Sequence, residues 1–313
     1  MTVAARCTIV RSVRKAAELL TLNDENLRRA VEQYAEGVVP KFIERMEGGV
    51  SAEVYRVTLL RPNGTIENIV LRIHGATHCG HAAELEFNIL EALFQAGISV
   101  PKPLSFDASC SVLENPFLMI AFVEGSSDFV KPMRKATFET MAEALISVQE
   151  VPVCLMPTLP RRIDPVPELL EFLPTGSEWK KFRGYLKEIE NAPFDGPDVV
   201  LHGDFWPANL LWKHGRIAAI LDWEDAALGD PLSDVACTSL ELQYIHGEAG
   251  KVLFEDTYAK HREIDPRRLA LWNAYVSSAA LKYMAEWGLE PAKEDHMRKT
   301  AHDSLLEAAT VLL

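Results

Sequence analysis

The stretch VVLHGDFWPANLLW, residues 199–212, places imidazole, carboxylate, amide and aromatic side chains directly after an apolar strand. His202 and Asp204 are not expected in a core segment, because burying such groups without partners is costly. Two large aromatic residues, Phe205 and Trp206, are not expected in a solvent-exposed loop. This mixture of residue types therefore indicates a functional site that is partly enclosed.

A predicted hairpin brings two carboxylates and a carboxamide to one place. Apolar segments flank the loop KHGR, which predicts two strands in which Trp212 pairs with Ile217. In this register Asn209 and Asp222 are diagonal neighbours, which lie about 7–8 Å apart and can share one ion. Asp204 lies upstream, on the loop that enters the same hairpin.

These three side chains have the chemistry of a magnesium site beside a proton acceptor. Oxygen ligands with few carboxylates suit Mg²⁺, which completes its shell with waters and substrate phosphate oxygens. We predict that Asn209 and Asp222 hold the metal, while Asp204 orients a hydroxyl group and takes its proton. The alternative is that all three only cap turns, as Asp and Asn often do. A single Asp would favour that alternative, whereas the ordered set favours a site.

The first 125 residues read mainly as strands. The segment LNDENLRRAVEQYAEGVV predicts a helix that ends at Gly37. The next segment, AEVYRVTLLRPNGTIENIVLRI, predicts two strands around an Asn63-Gly64 turn. A helix that ends at Gly97 is expected from AAELEFNILEALFQAG, and a further strand from FLMIAFVEG.

Beyond Gly125 the pattern becomes mostly helical. TFETMAEALISVQ, SEWKKFRGYLKEIENA and most of residues 233–313 are amphipathic, and a single hairpin at 210–221 interrupts them. The fold class predicted is α+β with two lobes. Residues 1–120 are expected to form a small β-rich N-lobe with an N-terminal helical extension, and residues 121–313 a larger, mainly helical C-lobe.

Composition limits the partners. The 313 residues carry a formal net charge of −13, which argues against a nucleic-acid partner because such binding depends on Lys and Arg contacts to phosphates. An acidic surface can attract a cationic small molecule, but solubility alone explains the charge. Purely apolar runs such as LMIAFV at 118–123 are far too short to span a membrane.

The cysteines and the N-terminal segment predict a cytoplasmic protein. The start of the chain lacks the continuous apolar run of a secretion signal. No CxxC pair appears among the cysteines, so reduced thiols are expected. The five cysteines are scattered along the chain: Cys7, Cys79, Cys110, Cys154 and Cys237.

Two motifs, HGDFWPAN and ILDWEDAALGDPLSD, resemble the signature of the aminoglycoside phosphotransferase and choline kinase-like small-molecule kinases. That family has the protein-kinase-like fold and carries HGDxxxxN followed by DWxxxxxGDPxxD. The resemblance implies transfer of the γ-phosphate of ATP, with Mg²⁺, to a hydroxyl of a small molecule. It makes Asp204 the catalytic base and Asn209 and Asp222 the metal ligands. It also implies that His202 and Asp234 brace the catalytic loop.

The resemblance extends to a turn that covers the phosphates. MEGGVSAEVYRV is similar to the family's glycine-bearing turn between two strands. Gly48 and Gly49 would let backbone N–H groups approach the phosphates, with Ser51 as a further donor. Taken alone, EGG is more often an ordinary hairpin turn.

Three further nucleotide contacts follow from the same resemblance. IVLRI is similar to the strand whose basic residue grips the α- and β-phosphates, and here that residue is Arg72. Glu86 is its expected partner on the following helix, with Glu84 as the rival. LMIAFVEG is similar to the connector between lobes, where backbone groups from Ala121 to Val123 would face adenine.

Other chemistry-bearing residues carry weaker signals. The spacing in HGATHCGH matches no zinc site, so a polar loop is favoured over a metal site there. Four helical aromatic residues are predicted to be core rather than substrate contacts. Three acidic residues near the motifs either meet a cationic acceptor or are solvated. The residues of the polar loop are His74, His78, Cys79 and His81. The helical aromatic residues are Trp272, Tyr275, Tyr283 and Trp287. The acidic residues are Glu224, Asp225 and Glu241.

Two other functions remain open at the level of sequence. A kinase-like module that binds nucleotide without transferring phosphate is the first, although it would not need Asp204, Asn209 and Asp222 together. A metal-dependent hydrolase that uses the same carboxylates on water is the second. The acceptor is not identified. By resemblance, residues 126–198 and the C-terminal helices select it.

Overall fold

The structure is a computed structural model that describes residues 24–46, 52–75, 80–127, 135–189 and 193–313. In the described residues before 122, the chain forms two helices and five strands. They are α1 (Asp24–Tyr34), β1 (Val39–Arg45), β2 (Ala52–Leu60), β3 (Ile66–His74), α2 (Ala83–Gln95), β4 (Pro103–Asp107) and β5 (Phe117–Ala121). The strands form one antiparallel sheet in the order β1-β2-β3-β5-β4.

The two faces of this sheet have different roles because successive side chains of a strand point to opposite sides. On β3, Leu71 and Ile73 are buried against one face together with Val31 of α1. Arg72 lies between them in sequence and therefore faces the other side, where α2 lies. The predicted hairpin around Asn63 and Gly64 is confirmed by the pairing of β2 with β3.

The remaining elements are mainly helical. They are α3 (Lys135–Gln149), β6 (Arg161–Arg162), α4 (Val166–Phe172), α5 (Lys180–Glu188), β7 (Val199–Leu201), β8 (Leu210–Lys213), β9 (Arg216–Ile220), β10 (Ala227–Gly229), α6 (Leu232–His246), α7 (Glu248–Tyr258), α8 (Pro266–Tyr283) and α9 (Pro291–Leu312). Among the described residues, no helix is long and apolar enough to cross a membrane. A boundary between residues 120 and 121 stays a prediction.

The prediction of a single hairpin among these helices was wrong. Strands β6, β10 and β7 form a second small sheet in that order, with β6 parallel and β7 antiparallel to β10. Each strand has only two or three residues, too few for an alternating pattern to appear in the sequence. This sheet matters for the site because β7 leads directly into HGDFWPAN and β10 ends in the GDP segment.

The hairpin of β8 and β9 forms, but its predicted register was wrong by one residue at the site. Trp212 pairs with Ile217 as predicted, yet Leu210 pairs with Ile220 because the register shifts between Leu211 and Trp212. The loop is also shorter than predicted, since Lys213 pairs with Arg216. A β-bulge of this kind places two residues of one strand opposite one of the other, which simple counting does not foresee.

The cysteines only partly match the expectation of reduced thiols. Cys110 and Cys154 are free and exposed. Cys237, on α6, is disulfide-bonded, which contradicts the expectation for this residue. A cytoplasmic location therefore stays a prediction.

Candidate active site

The loop of residues 202–209, called the catalytic loop after its predicted role, joins β7 to β8 and holds Asp204 beside Asn209. A short 3₁₀ turn, Pro207–Asn209, ends this loop and points the amide of Asn209 back along it. The Nδ2 atom of Asn209 donates hydrogen bonds to the backbone oxygen of Asp204 at 2.9 Å and to its Oδ2 at 3.1 Å. Because the amide nitrogen is used in this way, its oxygen is the atom that Asn209 offers to a metal ion.

Asp222 lies next to Asn209 because the bulged register draws the two strands together. The N–H of Leu221 donates to the backbone oxygen of Asn209 at 2.8 Å, so Asp222 follows immediately after the residue opposite Asn209. Its backbone has φ of 64°, a left-handed conformation that Asp adopts more readily than most residues. The site thus offers the amide oxygen of Asn209 and the carboxylate of Asp222, a donor set that fits Mg²⁺.

Two buried residues brace the catalytic loop. Asp234, at the start of α6, accepts hydrogen bonds from the N–H groups of His202 at 2.8 Å and Gly203 at 2.9 Å. The His202 ring donates from Nε2 to the oxygen of Leu221 at 2.8 Å and accepts at Nδ1 from the N–H of Asp204 at 3.2 Å. Burial lowers the pKa of His202 to about 4, so the ring is neutral and its Nδ1 is free to accept.

Arg72 links the five-stranded sheet to the loop that carries Asp222. Its guanidinium donates to Glu86 Oε1, to Asp222 Oδ1 at 2.9 Å and to Glu224 Oε2 at 2.6 Å. Burial alone would lower the pKa of Arg72, but the three carboxylates outweigh it and raise it. Of the two predicted partners on α2, Glu86 and Glu84, the structure places Glu86 on Arg72.

The electrostatics of the site favour a proton acceptor and a cation. Burial raises the pKa of Asp204 well above its usual range, and the charges of Asp225, Asp222 and Glu241 raise it further. Burial also raises the pKa of Asp222 to about 6, although the guanidinium of Arg72 lowers it. Carboxylates crowded in this way stabilise a divalent cation placed among them, because it offsets their mutual repulsion.

Comparison with known proteins decides the family. The profile of the group described as "Phosphotransferase enzyme family" matches residues 43–272, more than half of the chain. The chain belongs to the phosphotransferase enzyme family. Both motifs, Arg72 and Glu86 lie inside the matched range.

A curated relative of this phosphotransferase is much longer than the chain. "Acyl-CoA dehydrogenase family member 10" from Mus musculus is 25% identical over 243 residues. The aligned segment covers 67% of this chain but 22% of that protein. The chain therefore spans less than a quarter of the length of this relative.

Solved structures of phosphotransferases share the fold. One is a thermostable mutant of the aminoglycoside phosphotransferase APH(4)-Ia in ternary complex with AMP-PNP and hygromycin B. It has a TM-score of 0.60 at 14% identity, covering 90% of this chain and 98% of that one. The other is a macrolide 2'-phosphotransferase type I, with a TM-score of 0.58 at 19% identity, covering 91% and 96%. The predicted α+β, protein-kinase-like fold is thereby confirmed.

The structure also shows where the residues with weaker sequence signals lie in the phosphotransferase. Glu224, Asp225 and Glu241 are buried, so the interpretation as solvated carboxylates was wrong. Trp272, Tyr275 and Trp287 belong to the buried core, and Tyr283 packs against it. His74 lies 3.4 Å from Glu86, and His81 donates from Nε2 to the oxygen of Ala226 at 2.7 Å. Gly48, Gly49, Ser51, His78 and Cys79 lie outside the described residues.

Some residues of the site were missed by sequence reasoning. Glu224 was not recognised as a partner of Arg72, although its position two residues after Asp222 in DWED was a usable signal. Asp230 accepts hydrogen bonds from Arg268 at 2.5 Å and from the Trp272 ring at 2.6 Å, which ties the GDP segment to α8. No local pattern in the sequence indicates that Asp230 contacts Arg268 and Trp272 on α8.

Gly203 is required by the close approach of the catalytic loop to the segment after β9. It has φ of 87°, and a Cβ atom added there would lie 2.1 Å from the backbone oxygen of Asp225. Gly203→Ala is therefore expected to lower the free energy of unfolding by about 2–4 kcal/mol, through strain and overpacking together. Urea denaturation measures the loss.

Gly64→Ala is the matched control for this substitution. Gly64 has φ of 82°, but an added Cβ atom meets nothing within 4 Å, so only the cost of the left-handed backbone, about 1–2 kcal/mol, is expected. Equal losses in the two variants would show that the contact with Asp225 does not constrain the loop.

Proposed function

We propose that the chain transfers the γ-phosphate of ATP, with Mg²⁺, to a hydroxyl group of a small molecule. The observation that carries this proposal is the placement of Asp204 within hydrogen-bonding distance of Asn209 and next to Asp222, on a loop braced by His202 and Asp234. A proton acceptor beside two oxygen donors for a metal ion is the arrangement that phosphoryl transfer to an alcohol needs.

Asp204 acts on the acceptor. As the bond between the γ-phosphorus and the ADP oxygen breaks, the acceptor oxygen bonds to that phosphorus and its proton passes to the Asp204 carboxylate. The raised pKa of Asp204 makes it a better proton acceptor. Asn209 holds the carboxylate in place through Nδ2, so little reorganisation is needed during the reaction.

Nucleotide binding is assigned to both parts of the chain. When bound, Mg²⁺ would be held by Asn209 and Asp222 and would offset the charge of the β- and γ-phosphates. Arg72, oriented by Glu86, is assigned to the α- and β-phosphates. Gly48, Gly49 and Ser51, which lie outside the described residues, are assigned to the cover over these phosphates by the resemblance of their motif.

Adenine is assigned to the connector after β5. The N–H of Ala121 donates to the oxygen of Lys102 at 2.8 Å, so we assign the carbonyl of Ala121, rather than its N–H, to adenine. Val123, two residues farther along, is assigned as the N–H donor to the same ring. The complex of APH(4)-Ia with AMP-PNP supports an adenine nucleotide as the donor.

The acceptor class is tested directly by turnover. Wild-type protein and Asp204→Asn are incubated with Mg-ATP and a panel of acceptors, and phosphorylated product is detected by mass. The panel contains aminoglycosides such as hygromycin B, macrolides, choline, ethanolamine, homoserine, simple sugars and hydroxyacyl thioesters. The last class is included because the curated relative is named for acyl-CoA chemistry. A product that is lost in Asp204→Asn supports the proposal and identifies the acceptor class.

Two results of this assay contradict the proposal. Tight Mg-ATP binding without product from any acceptor would favour a module that binds nucleotide without transferring phosphate. Steady hydrolysis of ATP that no alcohol accelerates would favour a metal-dependent hydrolase.

Removal of a metal ligand gives a separate test of nucleotide binding. In Asp222→Ala, the gain in ATP affinity on adding Mg²⁺ is expected to fall by about 10- to 100-fold, because one of two protein ligands is lost. Isothermal titration of ATP with and without MgCl₂ measures this gain. Asp303→Ala, an acidic residue on α9 with a side chain 59% exposed, is the control and is expected to behave as wild type. An unchanged gain in Asp222→Ala would remove Asp222 from the metal site.

A further inference from the structure

Arg162 is placed beside the catalytic loop by the small sheet that the sequence did not reveal. It forms β6 with Arg161, and its backbone oxygen accepts a hydrogen bond from the N–H of Asp230 at 3.0 Å. Gly229 allows this close contact, since an added Cβ atom would lie 2.1 Å from the same oxygen. The backbone of Arg162 is therefore set by the GDP segment of the second motif.

The side chain of Arg162 reaches the residue that precedes Asp204. Its Nη1 atom donates to the backbone oxygen of Gly203 at 3.2 Å, while the N–H of Gly203 is held by Asp234 Oδ1 at 2.9 Å. Gly203 is thus fixed at both its N–H and its carbonyl. That carbonyl belongs to the peptide bond with Asp204, so the contact with Arg162 acts on the orientation of the proposed base.

The charge of Arg162 acts on both buried braces of the loop. Burial raises the pKa of Asp234, and the guanidinium of Arg162 opposes this increase. The same charge contributes, after burial, to the lowered pKa of His202. The Nη2 atom of Arg162 is buried without a hydrogen-bond partner among the described residues, so the guanidinium charge lies in a poorly solvated position beside Gly203, which Asp234 also holds. Two tyrosines also sense these charges: besides burial, Asp234 raises the pKa of Tyr258 on α7, and Arg162 opposes the pKa increase that burial causes in Tyr275 on α8.

We infer that Arg162 is a positioning residue: it holds the peptide bond before Asp204 and supplies the counter-charge for the buried Asp234 carboxylate. This inference deepens the proposed function and relies on it for the role of Asp204. Within the part of the chain that the structure describes, Arg162 makes no hydrogen bond to a residue assigned to nucleotide or metal. Its loss is therefore expected to lower kcat and to leave the affinity for Mg-ATP unchanged.

The first test separates catalysis from nucleotide binding. Arg162→Met is expected to lower kcat by about 10- to 100-fold, the usual cost of removing a group that orients a functional side chain, with KM for ATP unchanged. Arg162→Lys keeps the charge and is expected to recover part of kcat. Arg161→Met is the matched control, because Arg161 pairs with Asp198 at the surface and is expected to give wild-type values. A kcat at the wild-type level in Arg162→Met would overturn the inference.

The second test measures how the charge of Arg162 affects Asp234, and it does not require catalytic turnover. Loss of Arg162 raises the pKa of Asp234 further, and an acid with a raised pKa in the folded state costs stability as the pH rises through that pKa. The urea midpoint of Arg162→Met is therefore expected to fall more at about pH 8 than at about pH 5, and that of Arg162→Lys less. An equal fall at both pH values would overturn the counter-charge role. This test decides the counter-charge role even if no acceptor is phosphorylated.

Discussion

Asp204→Asn is expected to lower kcat by about 10³-fold, because the amide cannot take the proton of the acceptor hydroxyl. Asparagine has nearly the same shape, and Asn209 also donates to the backbone oxygen at position 204, at 2.9 Å. The loop should therefore keep its conformation. The dissociation constant of Mg-ATP is expected to be nearly unchanged, since Asp204 is not assigned to the metal. Steady-state kinetics and nucleotide titration measure the two quantities.

Asp303→Asn controls for the loss of one negative charge. Its side chain is 59% exposed on α9 and is expected to leave kcat at the wild-type value. Turnover within tenfold of wild type in Asp204→Asn would contradict the role of Asp204 as base. A loss of Mg-ATP affinity equal to the loss of kcat would instead make Asp204 part of the metal site.

Arg72→Met is expected to lower the free energy of unfolding by about 3–5 kcal/mol, because it leaves buried carboxylates without their counter-charge. Arg72 contacts Glu86, Asp222 and Glu224, and the Glu86 side chain is only 3% exposed. KM for ATP should rise as well, since Arg72 is assigned to the phosphates. Urea denaturation at neutral pH measures the first effect and steady-state kinetics the second.

This loss of stability should depend on pH in a defined direction. The pKa of Asp222 is about 6 and is held down by Arg72, so removal of Arg72 raises it. The folded variant then takes up a proton more readily as the pH falls through this range, which relieves the repulsion among the carboxylates. The difference in unfolding free energy between Arg72→Met and wild type is therefore expected to be larger at about pH 8 than at about pH 5.

Arg61→Met is the matched control for Arg72→Met, because it removes a more exposed salt bridge beside the same sheet. Arg61 lies 2.6 Å from Glu67, but the side chains are 34% and 28% exposed, so the pair is screened by solvent. Its removal is expected to cost far less stability than the removal of Arg72. A loss as small as this in Arg72→Met would show that burial does not make the Arg72 cluster important for stability.

Features of the site that depend on neighbours in sequence were predictable. Alternating apolar residues around Asn63 and Gly64 predicted β2 and β3 because strand periodicity is local. The order and spacing of Asp204, Asn209 and Asp222 predicted that a hairpin would gather them. The structure places Asn209 in hydrogen-bonding distance of Asp204 and opposite Leu221, the residue before Asp222, and the charge of Asp222 acts on Asp204. Their chemical roles stay predictions.

Contacts between distant elements were not predictable. Arg72 and Glu224 are 152 residues apart, and only the packing of the sheet against the loop after β9 brings them within 2.6 Å. Arg162 reaches Gly203 from a strand of two residues, which leaves no periodic pattern to read. The bulge between β8 and β9 moved Leu221 opposite Asn209, because backbone hydrogen bonds rather than side-chain pattern set the register there.

The sequence by itself determined which residues can do chemistry, since residue types and short spacings are properties of the chain alone. It also determined most long helices and strands, because their apolar faces recur with a fixed period. The tertiary structure alone decided that three carboxylates share Arg72 and that Gly203 is held from both sides. Those arrangements depend on how separate elements pack, and packing satisfies buried charges through partners far apart in the sequence.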